Sequence, residues 1–267
     1  MGRRRAAGRV RRAPESAYRR VRAAGYRALE TSPGLYCATV ERRVATINLA
    51  RPGVHLVVEG FQRSGNSYAR EAIRLANPGI HVASHAHRAA HVLHAIALRI
   101  PTLVIVRDPD DAVCSSLLYD EHTSVDAALR GYRRFYARLW PLQDNFVVAS
   151  FGQVTGDLGA VIERLNAKFG TTLATFVNSP ASDEAVFAIL EQAATVGGSV
   201  NELTVCRPSA VRAALAKQTR ATMGEANPRL RADCLAMAER FMQLAGAKRR
   251  MVVDATTGPG GPGPVAA

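Results

Sequence analysis

His55-Leu56-Val57-Val58-Glu59-Gly60-Phe61-Gln62-Arg63-Ser64-Gly65-Asn66-Ser67 runs from a β-branched segment, through a glycine turn, into an amphipathic stretch. Residues 55–59 predict a short strand ended by Gly60, and residues 67–75 predict a helix. A glycine turn that feeds a helix aims backbone N–H groups and the positive end of the helix dipole at one point. Such a point is a cradle for an anion.

Working outward, strands and helices alternate. Residues 79–83 (GIHVA) predict a second strand. Residues 101–106 (PTLVIV) form the most apolar run, whose unbroken Val/Ile/Leu character suits a strand buried on both faces. Asp108 and Pro109 then supply an N-cap and a first-turn proline for a helix over 110–118. Further helices are expected over 125–140, 157–169, 183–194 and 230–244, with a strand over 145–150. This alternation implies βαβ units and a parallel sheet. The fold expected is α/β: a three-layer, P-loop NTPase-like fold with a central parallel sheet and a helical N-terminal extension.

Gly60 through Ser67 follow the frame G-x-x-x-x-G-K-[ST] of the phosphate-binding P-loop, except that Asn66 occupies the lysine position. That lysine reaches the β- and γ-phosphates of a nucleoside triphosphate, so its replacement counts against an ordinary kinase or ATPase. A cation stands three positions earlier, at Arg63. A plain glycine turn joining strand to helix is the simpler reading, but the Arg-Ser-Gly core favours phosphate or sulfate binding. Arg107 and Ser115 bracket the start of the 110–118 helix. Ser115 lies about two turns along it, where its hydroxyl returns toward the same side.

Arg-Ser-Gly after a strand, together with Arg107-Asp108-Pro109-Asp110-Asp111-Ala112-Val113-Cys114-Ser115, resembles the sulfotransferases that use 3′-phosphoadenylyl sulfate (PAPS). The first segment is similar to that family's 5′-phosphosulfate loop, P-[KR]-S-G-T-[ST], with Gln62 and Asn66 as departures. The second matches its 3′-phosphate motif, R-[DN]-P-x-D-x-x-x-S, at every defined position. The resemblance is firm over residues 54–119 and extends to about residue 170. It implies that Arg63 contacts the sulfonate and bridging oxygen. It also implies that Ser64, Gly65, Asn66 and Ser67 hold the 5′-phosphate, and that Arg107 and Ser115 bind the 3′-phosphate. Arg207, with Arg212 near it, is a candidate for a loop closing over the nucleotide, although Pro208 and Ser209 read equally well as a helix start. The acceptor is a hydroxyl or amine, with a carbohydrate or glycolipid among the candidates.

Sulfuryl transfer needs a group that takes the acceptor proton, and histidine suits neutral pH. Ala83-Ser84-His85-Ala86-His87 follows the second predicted strand, at a carboxyl end where open α/β sheets put their sites. His85 aligns best with the family's base, and His87 projects to the same side if the backbone stays extended. Glu121 and His122 are further candidates. His87, His91 and His94 would share a helix face at i, i+4, i+7, but no Cys or carboxylate stands near them in sequence, so no metal is expected. His91 and His94 read instead as partly buried helix residues.

The chain has 267 residues, with 35 Lys or Arg and 22 Asp or Glu, for a net +13. Nine arginines and one acid fall in residues 1–22, so +8 of the +13 sits there. Such an arm is a candidate contact for an anionic membrane surface or for nucleic acid. With only three lysines in the chain, it fits an Arg-rich composition better than a selected binding patch, and nucleic acid is not expected as a partner. Residues 16–29 read as an amphipathic helix with a thin apolar face. Lys248, Arg249 and Arg250 form a second basic cluster, and the Gly/Pro-rich residues 256–267 read as a disordered end. No apolar run approaches the roughly 18 residues of a membrane span, and neither an anchor nor a secretory leader is expected. Four dispersed cysteines without a CxxC pair fit a reducing, cytoplasmic setting. The organisation expected is a basic, partly helical extension over 1–50, a sulfotransferase-like domain over 51–250 and a tail over 251–267. Two rivals stand beside this reading: a P-loop kinase or other nucleotide enzyme, and a non-catalytic basic protein.

Overall fold

A computed structural model describes residues 31–41, 48–119, 123–196, 199–200 and 205–247. The arginine-rich arm, the 16–29 helix, Glu121, His122, Lys248 to Arg250 and the Gly/Pro-rich end lie outside the described residues.

Four strands form one sheet: β1 (Leu56–Gly60), β2 (Val82–Ser84), β3 (Thr102–Val106) and β4 (Val147–Ser150). Their order is β2-β1-β3-β4 and every pair is parallel. Alternation along each strand sends side chains to two separate cores. Leu56, Val58, Leu103, Ile105, Val147 and Ala149 face one side, and Val104, Val106 and Val148 face the other. All of these are buried, which is why the strands read as continuous apolar runs.

Helices cover both faces, so the molecule is a three-layer α/β protein. On one face lie α2 (Asn66–Ala76), α7 (Leu158–Phe169) and α8 (Pro180–Ala194), joined by Val154 of the short α6 (Phe151–Gly156). On the other lie α3 (Ala89–Ala97), α4 (Pro109–Leu117), α5 (Val125–Leu139) and α10 (Pro228–Leu244). The core of that second face is aromatic. Tyr136 packs edge-on to Phe241 at 4.9 Å between ring centroids, and against Tyr132 at 4.6 Å. Each such pair adds about 0.5–1.5 kcal/mol beyond its burial.

The helices and strands expected within the described residues form, with ends shifted by at most three residues. The helix start read at Pro208 and Ser209 opens α9 (Ala210–Ala221). Elements that were not anticipated also appear: α1 (Pro33–Glu41), which packs through Tyr36 and Cys37 against Ala90 of α3, and the antiparallel pair β5 (Thr195–Val196) and β6 (Ser199–Val200). The proposed His87/His91/His94 face does not exist, because α3 begins at Ala89 and leaves His87 in the loop before it.

The strand order places the loops. From β1 the chain steps to β2 on one side, then crosses back to β3 on the other. Between β1 and β3 the winding reverses, and a crevice opens at their carboxyl ends. Gly60 ends β1 at that crevice and Arg107 follows β3 into it.

Candidate active site

The loop from Phe61 to Gly65 bends through left-handed backbone at Arg63 (φ 66°) and Gly65 (φ 97°). Gly65 is the N-cap of α2 and offers no side-chain oxygen, so no N-cap side chain accepts from the first N–H groups of the helix. Behind it, a Cβ on Gly60 would lie 2.4 Å from the Ile105 carbonyl oxygen and 3.0 Å from Asn66 Oδ1. Only glycine lets β1 run that close to β3 before turning.

Two buried polar atoms in this loop are unsatisfied among the described residues. Asn66 Nδ2 donates to the carbonyls of Gly60 and Phe61, both at 3.3 Å, which fixes the amide and leaves Oδ1 without a partner. Ser64 Oγ, buried near the Tyr136 hydroxyl, makes no hydrogen bond of ordinary geometry. The Tyr136 hydroxyl is already committed, donating to Ile105 O at 2.7 Å and accepting from Phe61 N at 3.4 Å. Of the two, the Ser64 hydroxyl can donate to an anion at the loop, whereas the Asn66 oxygen is an acceptor and cannot.

Three segments far apart in sequence meet at Arg63. Its Nε donates to Ser115 Oγ at 3.2 Å, its Nη2 to Val205 O at 3.3 Å and its Nη1 to Cys206 Sγ at 3.4 Å. Its carbonyl accepts from Arg107 Nη1 at 2.8 Å. Arg63, Arg107 and Ser115 thus form one cluster. Arg107 also lies over the Phe151 ring, 4.3 Å from its centroid, and Phe151 in turn faces Gly65. The backbone carbonyl of Arg107 accepts from the Tyr132 hydroxyl at 2.7 Å. Burial pulls the Arg107 guanidinium below its usual value; Arg63 and Arg220 act in the same direction, while Asp111 and Asp108 oppose them. An arginine still keeps its proton, so this is a desolvated cation with like charges beside it.

Asp108 caps α4, accepting from Asp110 N at 2.9 Å and Asp111 N at 3.4 Å. Asp110 takes a two-pronged pair from Arg231 of α10 (3.0 and 2.6 Å), and Asp111 pairs with Arg220 of α9. Arg207 follows Cys206, next to Arg63, but its guanidinium pairs with Glu191 of α8 and with Pro208 O. Arg212 lies in α9.

At the end of β2 the backbone is not extended: His85 (φ 74°) and His87 (φ 50°) both adopt left-handed conformations, and their rings meet edge-on at 5.6 Å. His85 is hemmed in. Its Nδ1 faces Arg70 Nη1 at 3.0 Å and Ser84 Oγ at 2.9 Å, and its Nε2 faces Ser67 Oγ at 2.8 Å. Arginine only donates, so Nδ1 is the acceptor and the ring proton sits on Nε2, donated to Ser67. Burial, with Arg70 and His87 beside it, pushes His85 down to about 3.

His87 is oriented the other way. His87 Nδ1 lies 3.1 Å from Gly60 O, which can only accept, and 3.3 Å from Asn66 Nδ2, which can only donate. The two Asn66 amide protons also have the Gly60 and Phe61 carbonyls at 3.3 Å, whereas Gly60 O is the nearer group at the ring, so a proton on Nδ1 serves both side chains. Glu59 stands behind it, wholly buried, and was visible in the sequence only as a strand residue. Burial alone would push the Glu59 carboxyl up, but His91, His87 and the Ala86 N–H together carry it below its usual value. Among the described residues, no group of three or more His, Cys, Asp or Glu side chains is arranged to hold a metal ion, and no helix is long and apolar enough to cross a membrane.

Fold and site together define a class: a three-layer α/β protein with a strand–turn–helix of P-loop frame at its topological switch point. The sequence matches no family model and no curated protein. Among solved structures, the chain is similar to the mouse sulfotransferase SULT7A1 crystallised with PAP, at a TM-score of 0.42 and 8% identity, over 73% of this chain and 86% of that one.

Proposed function

We propose that this protein is a sulfotransferase that moves a sulfonate from PAPS to an acceptor hydroxyl or amine, with a carbohydrate or glycolipid among the candidate acceptors. The observation that carries the reading is the convergence of Arg63, Arg107 and Ser115 beside the uncapped start of α2. A desolvated arginine next to a second arginine favours a multiply charged anion. A nucleotide with phosphates at both the 3′ and 5′ positions supplies two separated dianionic groups for these two halves of the crevice.

In this reading the 5′-phosphate rests on the backbone N–H groups of Ser64 through Ser67. The Ser64 hydroxyl supplies a further donor. Arg63 offsets charge building on the bridging oxygen, and Arg107 with Ser115 takes the 3′-phosphate. The acceptor oxygen forms its bond to sulfur as the bond from sulfur to the bridging oxygen breaks. Adenosine 3′,5′-bisphosphate then leaves with the electron pair. The acceptor proton goes to a histidine, and His87 suits that role better than His85, whose acceptor nitrogen is held by Arg70 and Ser84. Arg207, bound to Glu191, serves the loop that carries Val205 and Cys206 to Arg63.

Thermal stability with adenosine 3′,5′-bisphosphate, set against ATP with Mg²⁺, tests this. At 100-fold over its dissociation constant a ligand stabilises by about 2.7 kcal/mol. A shift with the bisphosphate, lost in Arg107→Ala, is expected. A shift with ATP–Mg²⁺ alone would replace this reading with a nucleotide triphosphate enzyme.

A further inference from the structure

Glu59 and His91 are both 0% exposed, in a strand and a helix that otherwise bury apolar side chains. A buried carboxylate is costly unless its lone pairs are filled. Here they are. Oε1 accepts from His91 Nδ1 at 2.8 Å and Ala86 N at 2.8 Å, and Oε2 accepts from His87 N at 3.1 Å. His87 Nδ1 lies 3.8 Å from the same Oε2. On the far side, His91 Nε2 accepts from Ala50 N at 2.8 Å, so the His91 proton is on Nδ1 and points at Glu59. The relay therefore runs one way: from the Ala50 N–H, through His91, to the carboxylate, and from there to the loop that carries His87.

That loop needs holding. His85 and His87 have side chains yet sit at positive φ, which costs of order 1–3 kcal/mol each and persists only where the surroundings fix it. The two N–H groups that Glu59 receives, from Ala86 and His87, are those of this bent segment. Among the described residues His87 Nδ1 meets two acceptors, Gly60 O at 3.1 Å and the Glu59 carboxylate at 3.8 Å, and one donor, Asn66 Nδ2 at 3.3 Å, whose two protons also have the Gly60 and Phe61 carbonyls to serve.

We propose that Glu59, with His91 behind it, is a positioning residue that fixes the His87 ring with its proton on Nδ1, so that Nε2 is the nitrogen that accepts a proton. The identity of that proton's donor rests on the sulfotransferase reading; the ring geometry does not. A glutamine at position 59 has one acceptor and one donor where the site presents only donors, so it cannot hold the backbone of Ala86 and His87 as the carboxylate does.

Two-bond ¹⁵N–¹H spectra of the full-length, histidine-labelled protein at alkaline pH test the proposal, with the His87 signal assigned by its loss in His87→Gln. In the wild type His87 is expected as the Nδ1–H form, and in Glu59→Gln it is expected to pass to the Nε2–H form that free histidine favours. Binding of adenosine 3′,5′-bisphosphate is expected to be the same in both. A wild-type His87 found as Nε2–H overturns the proposal without any variant. So does a Glu59→Gln protein in which His87 keeps its Nδ1–H signal. Failure of the wild type to bind the bisphosphate would instead remove the sulfotransferase reading and leave the tautomer result standing.

Discussion

Replacing His85 with asparagine probes how this site is held together, because asparagine tolerates a positive φ but does not titrate. The unfolded imidazole takes up a proton below its ordinary 6.5, while the folded one, pushed down to about 3, stays neutral. The unfolded chain therefore binds more protons between those values, and His85 costs stability as pH falls through that window. Between about pH 7.5 and pH 5 the loss comes to about 2 kcal/mol for this one group. A folded value one unit higher changes that by only about 0.1 kcal/mol, since at pH 5 the folded ring is still almost wholly neutral. At pH 7.5, His85→Asn is expected to be less stable than the wild type by about 1–3 kcal/mol, through the hydrogen bonds it loses to Ser67 and Arg70. By pH 5 the two proteins should have converged by about 2 kcal/mol. Urea unfolding at the two pH values reads this difference directly. His94 and Glu59, also shifted, remain in both proteins and cancel. Parallel stability curves would refute the claim that His85 is buried as a neutral ring locked between Arg70 and Ser67.

Gly60→Ala should be severe for a residue of such small volume, since its Cβ meets a backbone oxygen of β3 that cannot swing aside. A cost of about 3 kcal/mol or more, seen as a drop of roughly 10 °C in melting temperature, is expected; an unchanged melt would contradict the β1–β3 approach. Thiol labelling gives a second check. Cys37, Cys114 and Cys234 are buried, and burial pushes the Cys114 thiol up to about 11 and the Cys234 thiol up to about 12. At pH 8 in native buffer only the partly exposed Cys206 should react within minutes, and denaturant should release all four. Rapid native labelling of Cys114 would mean that the α4 packing is wrong.

The sheet was legible because burial on both faces writes itself into the chain as unbroken β-branched runs such as Thr102–Val106. The α4 start was legible for a local reason too, since Asp108 and Pro109 act on neighbouring backbone. The cluster of Arg63, Arg107 and Ser115 could be anticipated from two motifs and a helical period. What could not be read were partnerships across long separations. Nothing near Val205 or Cys206 announces that Arg63, more than 140 residues earlier, will reach them. Glu59 looked like an interruption of an apolar strand, and its role needs the register that brings it under α3. Whether the backbone after β2 stays extended could not be read locally; two N–H bonds to one buried carboxylate hold it bent. Asn66 was recognisable as a departure from the P-loop frame, but not as a neighbour of the His87 ring.

The ion pairs from Asp110 to Arg231 and from Asp111 to Arg220 have a consequence for the order in which this protein is made. The helix that presents Ser115 is fastened at its start by side chains from α9 and α10, which leave the ribosome more than a hundred residues later. A nascent chain that has completed β1, β3 and the glycine turn after β1 still lacks both fastenings, as well as the Phe241 ring against Tyr136. The Ser115 helix is therefore fastened last, by the C-terminal helices. A chain arrested before the final helix emerges should leave the Ser115 helix unfastened and open to protease.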